Sequence, residues 1–129
     1  MDAPTISIVL VHSSPRLAAL ADSLASGYPD LEVIARAASL DAIPAAQLLH
    51  AIVLTDEAPS GSESIIDRIR SIRALGARVI VLADDDFPAG VVPAMAAGAD
   101  AVLPPTSSSR RVAEQVRLVA NRARLIGRA

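Results

Sequence analysis

The sequence contains no cysteine, which excludes a disulfide framework, a thiolate zinc site and a cysteine nucleophile. It contains no lysine either, because all twelve basic residues are arginine. Schiff-base chemistry and a phosphate-gripping P-loop lysine are therefore both excluded. The many Ala and Arg residues beside that absence reflect codon bias as much as chemistry. Aromatic residues are reduced to one Tyr and one Phe. No apolar run approaches the roughly 18 residues of a membrane span; the longest are stretches such as Ile8 to Val11 and Val79 to Ala83. The opening Met1-Asp2-Ala3-Pro4 lacks the basic and apolar character of a signal peptide, so the expected location is the cytoplasm.

What is present suits one folded domain spanning residues 1–129. Apolar residues make up 52% and charged residues 20%, far from the composition of disordered chains. Five short apolar, β-branched runs recur: Ile6 to Val11, Leu31 to Ala35, Ala51 to Leu54, Val79 to Ala83 and Ala101 to Leu103. Each reads as a strand buried on both faces. Between them, helical spacing appears at Leu17 to Leu24, weakly at Ala42 to Leu49, then at Ile65 to Leu75 and Val91 to Ala97, with a long last helix over 109–126. Pro15 after Ser13 and Ser14, and Ser107 to Ser109, suit helix starts, while Gly76 and Gly98 suit helix ends. Strict alternation implies parallel strands with right-handed crossovers. The predicted fold class is α/β: a flavodoxin-like three-layer sandwich with a five-stranded parallel sheet in order 2-1-3-4-5 and five helices. In such sheets the carboxyl ends of the strands form the functional rim. Here that rim holds His12 to Ser14, Thr55 to Glu57, Ala83 to Asp86 and Pro104 to Thr106.

Four segments carry a resemblance. The first strand meets His12-Ser13-Ser14-Pro15, and Pro29-Asp30-Leu31-Glu32-Val33-Ile34 precedes the second helix. Val53-Leu54-Thr55-Asp56-Glu57-Ala58-Pro59 and Ala97-Gly98-Ala99-Asp100-Ala101-Val102-Leu103-Pro104-Pro105 follow in order. With that layout the chain resembles the receiver domain of two-component response regulators, in particular the NarL/LuxR type. The resemblance covers nearly the whole chain, and it implies a signalling module rather than an enzyme. It also implies where a phosphorylation site would lie. The two acidic residues that hold Mg²⁺ fall at His12 and Ser13, the phosphoacceptor carboxylate at Thr55, the phosphoryl-sensing hydroxyl at Ala83 and the lysine at Pro105. The switch aromatic falls at Val102. A hard cation needs oxygen ligands, and a threonine hydroxyl cannot form an acyl phosphate. The expectation is a degenerate pseudo-receiver that works independently of aspartyl phosphorylation, with no cofactor and no resident metal.

Acidic residues do lie on the rim: Asp56, one position past the acceptor, and Asp84, Asp85 and Asp86 after the fourth strand. Strand alternation aims Asp56 away from the acceptor direction, and these carboxylates read first as helix caps, then as a rim for a small ligand or weakly held cation. Val11-His12-Ser13-Ser14 also resembles the start of the mannose-type sugar-phosphotransferase IIA domains, which makes a phosphocarrier using His12 the competing reading. His50 is expected to end a helix or loop. The first turn lacks glycine, so neither dinucleotide nor P-loop fingerprints are met.

The last helix is the expected interaction surface. Val112, Val116, Val119, Ala123 and Ile126 form its inward stripe. Leu118 and Leu125 lie seven apart on the far side among Arg111, Arg117, Arg122 and Arg124. That pattern predicts a homodimer through this helix, with Arg111, Leu118, Arg122 and Leu125 at the interface. A regulatory protein or small ligand is the other partner expected. Direct nucleic-acid binding is not expected despite six arginines between residues 110 and 128, because no helix-turn-helix follows the last helix. The domain reads as a stand-alone regulator or as the N-terminal half of a transcription regulator.

Overall fold

Along the central strands, Ile and Leu alternate with Val, and this alternation sorts the two faces of the sheet. In the computed structural model, which describes residues 5–11, 15–56, 65–82, 94–104 and 106–127 and the side chains of these except 56 and 123–127, five strands run parallel. They are β1 (Ile6–Val11), β2 (Leu31–Ala37), β3 (Ile52–Asp56), β4 (Arg78–Leu82) and β5 (Ala101–Leu103). Their spatial order is β2-β1-β3-β4-β5, as the sequence predicts. The helices are α1 (Pro15–Gly27), α2 (Ala45–Leu48), α3 (Ile65–Ala74), α4, described over residues 94–97, and α5 (Ser109–Gly127).

On one face Ile8, Leu10, Ile52, Leu54, Ile80 and Leu82 pack against α1 and α5. On the other, Val9, Val11, Val53, Val79 and Val81 meet α2, α3 and α4 through Leu48, Ile69, Ile72 and Ala94. The period of two along each strand therefore feeds two cores, one built from longer side chains and one from shorter ones. β1 and β2 slip by one residue between Ile8 and Val9, a bulge that leaves Ile34 as the extra residue on β2.

The second helix departs from the sequence reading of Ala42 to Leu49. A 3-10 turn, Leu40–Ala42, comes first, then Ile43 with φ −106° and ψ 125°, and only afterwards the single turn of α2. Pro44 causes this division: it lacks an N–H for an α-helical bond and drives the residue before it into extended geometry. The predicted helix end Gly76 has φ +85° and Gly98 has φ +116°, where a side chain would be strained. His50 sits in the turn before β3 at φ +64°, its N–H donating to the Gly76 carbonyl at 3.1 Å. Ser108 caps α5, its hydroxyl accepting from the Arg111 N–H at 3.2 Å. The proposed caps Ser13 and Ser14 lie outside the described residues.

Asp100, just before β5, completes the sheet where β5 is short. Its N–H donates to the Val79 carbonyl at 2.8 Å, while its carboxylate accepts from the Val79 N–H at 2.9 Å. Arg73 and Arg78 flank that carboxylate at 3.5 and 3.7 Å.

Among the described residues no helix is long and apolar enough to cross a membrane.

Candidate functional site

The parallel order brings the ends of β1, β3 and β4 together. Thr55 stands next to Val11 on one side and Val81 on the other. Of the positions that the receiver resemblance assigns, Thr55 and Val102 are described in full, and Val102, the position of the switch aromatic, is half-buried in β5. His12, Ser13, Ala83 and Pro105 lie outside the described residues, as do Asp84 and Asp85. Asp56 closes β3, and its side chain is likewise outside the description.

Thr55 shares the parity of Val53, so its side chain enters the layer between the sheet and α3. It is completely buried, and its hydroxyl accepts a hydrogen bond from Nη1 of Arg68 at 3.0 Å. Arg68 is itself only 4% exposed and lies in the first turn of α3 beside Ile69. Both residues make further contacts. The Arg68 guanidinium thus meets Thr55, the position at which the receiver resemblance implies the acceptor carboxylate.

Arg68 is not among the site residues expected from the sequence. Its signal was available: Ile65, Arg68, Ile69 and Ile72 share one helical stripe, and an arginine inside an apolar stripe is unusual enough to need a partner.

The second region is α5. Val112, Val116 and Val119 are buried against the sheet, as expected of the inward stripe, and Ala113 is buried beside them; the side chains of Ala123, Leu125 and Ile126 lie outside the description. Leu118 is 51% exposed, and Arg111 and Arg122 are exposed beside it. Arg117 differs from the sequence reading, which grouped it with this outward set. It turns back onto the body of the domain, with Nε and Nη2 each 2.8 Å from a different oxygen of Asp30. Its guanidinium carbon also lies 5.3 Å from the Tyr28 ring centroid. The planar fork of arginine matches a carboxylate in this two-bond manner, and the pair ties α5 to the turn before β2. The Asp30 carbonyl also accepts from the Ile6 N–H at 2.8 Å, so the same residue anchors β1.

Arg117's hydrogen bonds hold the Asp30 carboxyl below the usual carboxylate range, outweighing the opposing effect of its partial burial. The Arg117 guanidinium is in turn raised by Asp30 and stays charged throughout. Because the folded state favours the ionised form of Asp30, its contribution is complete above the ordinary aspartate value near 4 and is lost as pH falls through the lower folded value. Asp30→Asn is thus expected to flatten the acid limb of the stability profile below about pH 4 while leaving its slope near neutrality unchanged. Urea denaturation at a series of pH values checks this, and an unchanged acid limb would exclude the pair as a source of acid sensitivity.

No protein-family model matches the chain, and no curated protein sequence does. Solved structures do. The signal receiver domain of the putative response regulator NarL from Mycobacterium tuberculosis superposes with a TM-score of 0.75 at 23% identity, over 95% of this chain and 98% of that one. A response regulator receiver domain protein from Clostridium thermocellum gives 0.76 at 18% identity, covering 94% and 98%. ChrA, the response regulator of a heme-sensing two-component system, gives 0.74 at 24% identity over 92% of this chain, which spans 58% of the length of ChrA. The chain has the receiver fold.

Proposed function

We propose that this chain is a non-catalytic regulatory module on a receiver scaffold, working without aspartyl phosphorylation and delivering its output through a contact made by α5. The observation that carries the reading is Thr55: at the acceptor position, fully buried, and engaged by the buried Arg68. Where the receiver resemblance implies an acceptor carboxylate, a threonine hydroxyl stands, and it cannot form an acyl phosphate. The chain has no lysine with which to hold a phosphoryl group. Control then rests on a partner or small ligand that shifts a two-state equilibrium, and it does so only by its differential affinity for the two states. This chain spans 58% of the length of ChrA, which is in keeping with the reading that such a module is one part of a longer regulator.

The test is incubation of the purified protein with acetyl phosphate and Mg²⁺, followed by intact-mass spectrometry. No phosphoryl adduct is expected. An adduct lost in Thr55→Val or Asp56→Asn would overturn the reading in favour of a working receiver. An acid-labile adduct lost in His12→Ala would overturn it in favour of a phosphocarrier.

A further inference from the structure

α3 is fastened differently at its two ends. Towards its C-terminus the packing is apolar: Ile69 and Ile72 are wholly buried, and the chain turns through Gly76 into the buried Ala77, whose N–H donates to the Ile72 carbonyl at 3.3 Å. Arg73 adds a contact with Asp100 at 3.5 Å. In the first turn Ile65 and Ile66 are only half-buried, and Asp67 is exposed. Arg68 is the buried residue of that turn, and it meets the sheet through the bond that it donates to Thr55 at 3.0 Å.

A polar side chain thus stands in a stripe otherwise made of Ile65, Ile69 and Ile72. The substitution changes what lifting the turn costs. An isoleucine at this place would be stabilised only inside, and lifting it would expose its apolar surface to water. Arginine has two compensated states. With the turn closed, its guanidinium donates to Thr55; with the turn lifted, the long stem carries the charged head to the water that already borders Asp67. A hydrogen bond is also short-ranged and directional, so it is either made or lost, whereas apolar packing yields by degrees.

We propose that the Arg68–Thr55 bond is a latch on the first turn of α3. Made, it holds that turn against the end of β3; broken, it lets the turn lift while the rest of the helix stays packed. The inference rests on the reading of the module as one controlled without phosphorylation, and it names the two states between which a partner or ligand chooses. Whatever binds the lifted turn more tightly than the closed one shifts the balance, and by no more than that difference in affinity. The bond reaches from β3, the central strand, to a helix 13 residues further on, so its release changes the carboxyl-end rim and the outer surface of α3 together.

Amide hydrogen exchange followed by NMR tests the latch. In α3 the first N–H groups to donate within the helix are those of Ile69, Arg70 and Ser71, and lifting the first turn removes their acceptors. In wild type these three are expected to exchange through a local opening that low urea leaves unchanged, while Val9 and Leu10 in β1 exchange by global unfolding and respond to urea. Thr55→Val removes the acceptor of the latch and is expected to speed exchange at Ile69, Arg70 and Ser71 by about tenfold more than at Leu75 and Ala77. Thr55→Ser retains the hydroxyl and is expected to keep the wild-type pattern. Thr55→Val/Arg68→Met replaces the latch by apolar packing and is expected to return the three amides to the wild-type rate or below it. Circular dichroism confirms that each variant is folded.

Acceleration by one common factor at every amide of Thr55→Val would overturn the proposal, because the pair would then stabilise the fold as a whole. So would wild-type amides at Ile69, Arg70 and Ser71 that exchange only with global unfolding, or a double variant that exchanges there as fast as Thr55→Val. None of these results touches the phosphodonor assay, whose outcome decides the functional reading by itself.

Discussion

Arg68→Ala is expected to lower the free energy of unfolding by about 3 kcal/mol, through lost packing and a lost hydrogen bond to a charged group. Arg68 is 4% exposed between α3 and the sheet, and the bond it donates to the fully buried Thr55 has no water to replace it. Thr55→Val keeps the shape of the side chain but removes the acceptor, so a buried cation loses a partner at an expected cost of about 2 kcal/mol. The decisive comparison is the double replacement Thr55→Val/Arg68→Met. Removing both polar partners and filling their space with apolar atoms is often neutral or favourable, whereas removing one leaves the other desolvated. The double variant is expected to be more stable than Thr55→Val alone, with a coupling of about 1 kcal/mol or more between the sites. Urea denaturation of the four proteins measures this. Losses that merely add would show that the two side chains act independently. A stability gain in the double variant would mean that the pair is kept for what it does at the end of β3 rather than for the fold.

Asp100→Ala is expected to cost about 2 kcal/mol, while Asp100→Asn should retain most of that stability. The reason lies in the ladder. Val79 is wholly buried, and its N–H finds its acceptor in the Asp100 carboxylate at 2.9 Å rather than in a strand carbonyl. Alanine leaves that donor unsatisfied in the interior. Asparagine retains an oxygen to receive it and gives up only the charge facing Arg73 and Arg78, which lie at 3.5 and 3.7 Å. Those ion pairs are partly solvated and contribute less than the backbone bond. Hydrogen exchange gives a second readout, with the Val79 amide expected to lose protection in Asp100→Ala and to keep it in Asp100→Asn. Equal losses in the two variants would assign the stabilisation to charge instead.

Much of the architecture was legible in the residues. The predicted strands agree with the observed ones to within two residues at the described ends, and β5 agrees at both ends. Short β-branched runs bounded by glycine, proline and small polar residues leave few other arrangements. Gly76 and Gly98 were readable as helix ends because only a positive φ continues the chain there, and both adopt one. The second helix was less legible. A weak apolar pattern extended across Pro44, and the restriction that proline imposes on Ile43 prevailed over the pattern. Helical periodicity places Leu118 on the outside of α5, as observed, and groups Arg117 with it, whereas the half-exposed Arg117 side chain folds back across the surface to Asp30. Periodicity locates the base of a side chain but not the end of a long arginine, which can lie across its own helix to reach a carboxylate.

By itself, then, the sequence determined the parallel α/β order, the apolar faces and the absence of lysine. These follow from local pattern and composition, which need no knowledge of what lies nearby in space. Only the tertiary structure decided which polar groups meet. Arg68 reaches Thr55 across 13 residues of sequence, and Arg117 reaches Asp30 across 87. Asp100 takes the place of a strand partner for Val79, 21 residues before it. A buried or clamped polar group is defined by the partner that compensates its loss of water, and that partner is supplied by the fold rather than by the neighbouring sequence.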